Sequence, residues 1–326
     1  MGKYLDPKAD LTFKRVFGEH PNLVASLLNS LLPLPAGEEI SDVEYLSPEL
    51  VPRTSMGKNS IVDVFCKTND GRQFIVEMQM CWWNKLKTRV LFNAAKVYVD
   101  QLERKEDFSL LRPVYSLNLV DAVFEKDVPE FIHHYQIVHD KYTHKVIEGF
   151  HLVFVELPKF KPQNIVERKM AVLWLRFLTE IGETTDEVPQ ELMENAEIRQ
   201  AMELVEESAY TRPQLMGLDL FWDGVRVEKT MMKEHEERFK EGWDKGLKEG
   251  LIEGRKEGRR KGLIEGREEG IKEGIKEGIK EGIKEGIKEG IKEGLIQTAR
   301  NMKAMNLTPE QIATATGLTA TEIDAL

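Results

Sequence analysis

Apolar positions along the chain keep one period for a few tens of residues and then switch to another. Up to Pro35 the period is helical. Phe13, Val16 and Phe17 form the apolar side of a first helix that Asp10 can cap, and Leu23, Leu27, Leu28, Leu31 and Leu32 form that of a second. Pro21 opens the second helix, and Pro33 and Pro35 stop it. The pattern then becomes strand-like over about 41–46, 60–68 and 73–80, which are rich in Val, Ile and Phe. Asn69-Asp70-Gly71 joins the last two as a tight hairpin. A long amphipathic helix follows over about 84–104, with Leu86, Val90, Ala94, Val97 and Leu102 on its apolar side, and Pro113 opens another strand through Leu119 and Val120. The order helix, three strands, helix, strand predicts an α/β fold. Two further strands are expected within 131–157 and mainly helices within 162–226, with a linker near Gly217 or Gly224.

Beyond this the pattern changes in kind. Glycine recurs every fourth residue from Gly242 to Gly294, fourteen times, and six perfect Ile-Lys-Glu-Gly units fill 271–294. Glycine costs about 1 kcal/mol against alanine in a helix, so fourteen cost on the order of 14 kcal/mol. Yet Glu precedes Lys by three residues throughout, a helix-favouring order. The Ile/Leu stripe has a period of 4.0 residues rather than 3.6 and winds about 40° per repeat around a helix. The segment is therefore either a helix stabilised by association, most simply in a homodimer, or a flexible spacer. The ending contains two capping boxes, Thr308 to Gln311 and Thr319 to Glu322, split by Gly317. They imitate a helix-turn-helix, but Glu322 and Asp324 stand where a recognition helix needs basic or amide groups, which favours a packing unit. The expected organisation is a core over 1–160, a helical extension over 161–232, the repeat over 233–296 and a small helical unit over 297–326.

Charge changes this picture little. The net charge of −10 looks unsuited to nucleic acid, but residues 1–179 carry 23 basic and 23 acidic side chains, and ten acids against Arg199 alone fall in 180–207. The 41% hydrophobic content supports a real core. No run reaches the length of a membrane span and the first residues have no apolar signal core; with Cys66 and Cys81 lacking any CxxC spacing, a reducing, cytoplasmic setting is expected.

Candidate chemistry sits in the hairpin. Asp63 lies within Ile61-Val62-Asp63-Val64-Phe65, and Glu77 and Gln79 lie on one face of Phe74-Ile75-Val76-Glu77-Met78-Gln79-Met80. Pairing centred on Asp70 puts Asp63 opposite Glu77. Facing carboxylates repel unless one is protonated or a cation lies between them. Either the pair holds a hard divalent ion such as Mg²⁺, or it faces solvent. Downstream, Lys85, Lys87, Arg89, Lys96, Arg104 and Lys105 outnumber Asp100 and Glu103, a basic helix that could hold a phosphate backbone or be an ordinary solvated face. Trp82 and Trp83 suit core packing better than base stacking, and five histidines between 133 and 151 lack zinc-site spacing.

Asp63, a hairpin, then Glu77-Met78-Gln79 resembles the Asp…Glu-x-Lys signature of PD-(D/E)XK nucleases, with Gln79 in the Lys position. More narrowly, Asp10-Leu11-Thr12-Phe13-Lys14-Arg15-Val16-Phe17-Gly18, the Glu-x-Gln strand, Lys96-Val97-Tyr98-Val99-Asp100-Gln101-Leu102 and the glycine-repeat tail are similar to the recombination-promoting nuclease/transposase family of that superfamily. The resemblance implies an αβββαβ restriction-endonuclease-like core and Mg²⁺-dependent (or Mn²⁺-dependent, with Ca²⁺ able to take the place) endonucleolytic hydrolysis of DNA. It also implies a link to recombination or mobile DNA, with Asp63 and Glu77 as metal ligands and Gln79 as a catalytic position. Lys14 is the candidate for the charge that Gln79 lacks, and Lys85, Lys87, Arg89 and Lys96 are the candidates for DNA contact. The alternative is a catalytically decayed nuclease fold that serves as a DNA-binding or scaffold protein.

Overall fold

The computed structural model describes residues 4–50, 58–103, 105–162 and 169–326, so the basic position Arg104 lies outside the described residues. They fall into two compact units, Met1–His235 and Glu236–Leu326.

The first unit opens with a short helix, Asp10–Phe13 (α1). The chain then widens to a π-type turn over Lys14–Gly18. Asp10 is not the cap expected from the sequence: Ala9 holds the N-cap position, and the Asp10 carboxylate pairs with Lys14 at 2.7 Å. Pro21–Leu31 (α2) has proline at its first position, where no backbone N–H is needed. It stops because Leu32, the residue before Pro33, is pushed to an extended conformation (φ −82°, ψ 147°). Seven residues of α2 are buried.

The strands are β1 (Glu44–Tyr45), β2 (Glu49–Leu50), β3 (Ser60–Ile61), β4 (Val64–Lys67) and β5 (Gln73–Gln79), followed by helix α3 (Leu86–Asp100) and strand β6 (Val114–Val120). Strands β7 (Ile132–Val138) and β8 (Val146–Glu156) complete the six-stranded sheet, of order β1-β4-β5-β6-β8-β7, while β2 and β3 pair separately. Strands β5, β6 and β8 run parallel, and β4 and β7 lie antiparallel beside them. All seven residues of β6 are buried, as a central parallel strand covered on both faces must be. The single strand expected over 60–68 is in fact two, interrupted at Val62 and Asp63. The β4–β5 register is the one the tight turn predicts, with Val64 opposite Val76 and Phe65 opposite Ile75. Gly71 (φ +86°) closes that turn in the left-handed region, where a side chain would be strained.

Helices α4 (Lys169–Glu180), α5 (Gln190–Glu194) and α6 (Ala196–Leu204) follow. One sheet face packs on α2, α4 and α6, so Phe17, Leu27, Val76, Leu117, Trp174, Phe177 and Ile198 share one core. The other face lies under α3. Gly217 and Gly224 are not a linker: both fall inside α7 (Arg212–Ala304), whose Leu218 and Val225 are buried in the first unit.

The second unit contains the α7 residues from Glu236 onward, then α8 (Pro309–Thr316) and α9 (Ala320–Asp324). The glycine repeat is helical, and Ile271, Ile275, Ile279, Ile283, Ile287 and Ile291 are each more than half exposed. Both capping boxes form, and Ala299, Ile312 and Ile323 make a small core. No helix among the described residues is long and apolar enough to cross a membrane.

Candidate active site

The break in the strand places Asp63. An uninterrupted antiparallel ladder would offer the Met78 N–H a backbone carbonyl; here Asp63 Oδ2 accepts that hydrogen bond instead, at 2.7 Å. The carboxylate thus takes over a ladder position beside Glu77. Glu77 sits mid-strand on the face beneath α3 and is 2% exposed. Three donors hold it: Gln79 Nε2 reaches Oε2 at 2.8 Å, Arg89 Nη2 the same oxygen at 3.4 Å, and Asn93 Nδ2 reaches Oε1 at 3.4 Å. Asn93 is itself fixed by the Ser60 hydroxyl, which donates to Asn93 Oδ1 at 2.7 Å.

Electrostatics sets the protonation of the pair. Burial pushes the Glu77 carboxyl up to about 8, the Asp63 charge pushes the same way, and Arg89, Asn93 and Gln79 only partly oppose them. Burial also raises Asp63, against the Met78 N–H and the positive charge of Lys14, which pull it down. Without a cation, Glu77 therefore keeps its proton at neutral pH. Lys14 reaches this neighbourhood because its π-type turn packs on β4, closely enough that a side chain at Gly18 would touch Val64.

The basic positions of α3 divide. Arg89 is the one brought to the carboxylates. Lys87 is spent on Glu125 and Tyr135, over whose ring its ammonium lies at 4.8 Å. Lys96 donates to the backbone carbonyls of Leu50 and Lys58. Lys85 is exposed at the N-cap of α3. Trp82 stacks on Phe124 at 3.9 Å, and Trp83 packs against the same cluster. Sequence reasoning missed Asn93, Ser60 and the nearness of Asp10, whose charge raises Asp63. Asn93 had a signal: it is a polar residue on the apolar stripe of α3, beside Val90, Ala94 and Val97.

The family description PD-(D/E)XK nuclease family transposase matches residues 7–216, which span α1 to the start of α7. The chain belongs to that family. Its mixed α/β fold, with a central sheet and a long C-terminal helix, is consistent with a PD-(D/E)XK fold, and membership supports a nuclease- or transposase-like function. Among curated proteins and solved structures no match is found.

Nucleases of this kind typically use divalent metals. Among the described residues no three His, Cys, Asp or Glu side chains form a metal cluster. A cation at this place would have two carboxylates, with water and phosphate for the rest, a coordination that Mg²⁺ accepts. Two buried carboxyls, of which Glu77 would give up its proton to a bound cation, are the oxygen donors a hard ion requires, so the donor set fits.

Proposed function

We propose that the chain is a Mg²⁺-dependent endonuclease that hydrolyses DNA phosphodiester bonds in recombination or in the movement of mobile DNA. The observation that carries this reading is the Asp63–Glu77 pair, set side by side by the break between β3 and β4 within a family of nucleases. Asp63 and Glu77 would hold the ion; Mn²⁺ would replace it, and Ca²⁺ would fill the site. When bound, the ion activates water and neutralises charge on the phosphate. Gln79 holds one Glu77 oxygen through its amide, which fixes the carboxylate but brings no charge. The positive charge that faces a phosphate then comes from Arg89 and Lys14. Lys85 extends this rim, while Lys87 and Lys96 position α3 through their internal bonds.

The second unit joins two copies of the chain through the glycine repeat, and its support is the row of exposed isoleucines beside glycines that have open space around them. A cytoplasmic setting agrees with Cys66 and Cys81 being free and buried, with burial holding the Cys66 thiol at about 12 and therefore inert. A second reading, a decayed nuclease fold that binds DNA as a scaffold, is favoured by one observation: the uncharged Gln79 spends its amide on Glu77. Nicking of supercoiled plasmid by the wild type and by Asp63→Ala separates the two. Cleavage in Mg²⁺, absent in EDTA and in the variant, supports the nuclease; DNA binding without cleavage by the wild type leaves the scaffold.

A further inference from the structure

Beneath α3 the sheet carries two more buried polar side chains, Ser116 and Asn118, on the strand next to Glu77. The parallel register of β5 and β6 pairs Glu77 with Asn118, so the two lie on the same face of the sheet. Asn118 is 0% exposed. Its Nδ2 donates to the carbonyls of Ser116 and Val153, each at 3.1 Å, and lies 3.1 Å from the Ser116 hydroxyl. That fixes the orientation of the carboxamide, because exchanging its oxygen and nitrogen would set oxygen against two carbonyl oxygens. Asn118 Oδ1 consequently has no donor, and among the described residues it is the single buried side-chain polar atom in that condition.

A buried acceptor without a partner is costly, and a site that keeps one has a use for it. The neighbouring carboxylates supply the use. A cation held by two carboxylates retains several waters, and each water has hydrogens that need acceptors. Glu77 is already engaged by Gln79, Arg89 and Asn93, and Asp63 by Met78. Asn118 Oδ1 is the wholly buried acceptor on this face that no donor engages.

We propose that Asn118 is a positioning residue of this site, its carboxamide oxygen accepting a hydrogen bond from the hydration shell of the divalent cation held at Asp63 and Glu77. The inference rests on the metal-dependent reading above and adds a residue from β6 to it. It also accounts for a polar side chain in a strand whose neighbours Leu117, Leu119 and Val120 are wholly buried and apolar.

The test is calorimetric titration of the metal-free, full-length protein with Mn²⁺, with no DNA present. Asn118→Leu removes the acceptor and should weaken Mn²⁺ binding about 10- to 100-fold, the usual cost of losing a partner in the outer shell of a metal. Asn118→Asp keeps an oxygen acceptor but loses the amide donors to Ser116 and Val153, and should bind within a few-fold of wild type. Ser116→Ala touches only the donor side and should leave the affinity unchanged. A residue that merely braces the sheet would give equal losses in Asn118→Leu and Asn118→Asp, and that result overturns the proposal. Wild-type affinity in a folded Asn118→Leu also overturns it while leaving the metal site itself intact. Absence of Mn²⁺ binding in the wild type removes the metal-dependent reading, and this inference with it. If Asn118→Leu fails to fold, Asn118→Thr, which is smaller and keeps a hydroxyl oxygen, takes its place: it should retain more affinity than Asn118→Val, and equal affinities for the two overturn the proposal.

Discussion

The two units depart from the ordinary hydrophobic pattern in opposite directions. In the first, two carboxyls lie inside a sheet whose surroundings are apolar, and Glu77 is almost wholly withdrawn from water. In the second, a row of isoleucines stands in water, each more than half exposed, along a helix with a glycine at every fourth position. Each departure costs free energy: burial that disfavours the ionised carboxyls in one case, and unburied apolar surface with poor helix propensity in the other. A buried carboxyl is relieved by a cation, and an exposed apolar stripe by another apolar surface. In the proposed function a cation would complete the first place and a second copy of the chain the other.

The sharpest way to break the comparison is at the carboxylates. Asp63→Ala and Glu77→Ala should each reduce Mg²⁺-dependent plasmid cleavage to background while circular dichroism remains that of the folded wild type. Cleavage that survives in either variant would move the site elsewhere.

The repeat comes next. Residues 236–326, a compact unit in themselves, should gain helicity as concentration rises from the low micromolar range, because glycine leaves too little propensity for a solitary helix. Replacing Gly278 and Gly282 by alanine adds about 1 kcal/mol of helix propensity per site. It also puts methyl groups where there is now open space. If close helix approach matters, the variant should be more helicoidal at high dilution yet associate more weakly, as read by sedimentation. Tighter association would show that propensity and not contact is limiting, and concentration-independent dichroism with a monomeric mass would make the repeat a spacer.

A smaller effect concerns pH. The folded-state Glu77 carboxyl titrates at about 8, well above its ordinary 4.5. The folded protein therefore holds this proton more tightly than the unfolded chain. The resulting stability is fully present below about 4.5 and is lost as pH rises through about 8. Glu77→Gln should raise the metal-free Tm at pH 8.5 by several degrees and leave it nearly unchanged at pH 5. Equal shifts at both values would mean that Glu77 is not held neutral. The smallest effect is expected at Arg89: Arg89→Glu should lower the salt dependence of DNA binding, reducing its log–log slope by about one to two. An unchanged slope would take the phosphate path away from α3.

The sequence by itself determined the periods and the turns. Helical spacing up to Leu32, the Pro33 stop, the hairpin register about Asp70 and both C-terminal capping boxes are local matters of side-chain geometry and backbone preference, and they stand in the structure as the residues dictate. The turn's register holds from Val64 opposite Val76 onward but stops short of Asp63, which lies outside the ladder. What the tertiary structure alone decided depends on contacts between distant segments. It broke the strand at Asp63, since a side-chain oxygen could serve Met78 in place of a carbonyl. It paired Lys87 and Lys96 with acceptors 38 to 48 residues away in the chain. It also brought Asn93 to Glu77 and left Asn118 beside it with an unused oxygen. No periodicity announces such a pairing, because a hydrogen bond across a packed layer is fixed by where two elements come to rest and not by the spacing within either.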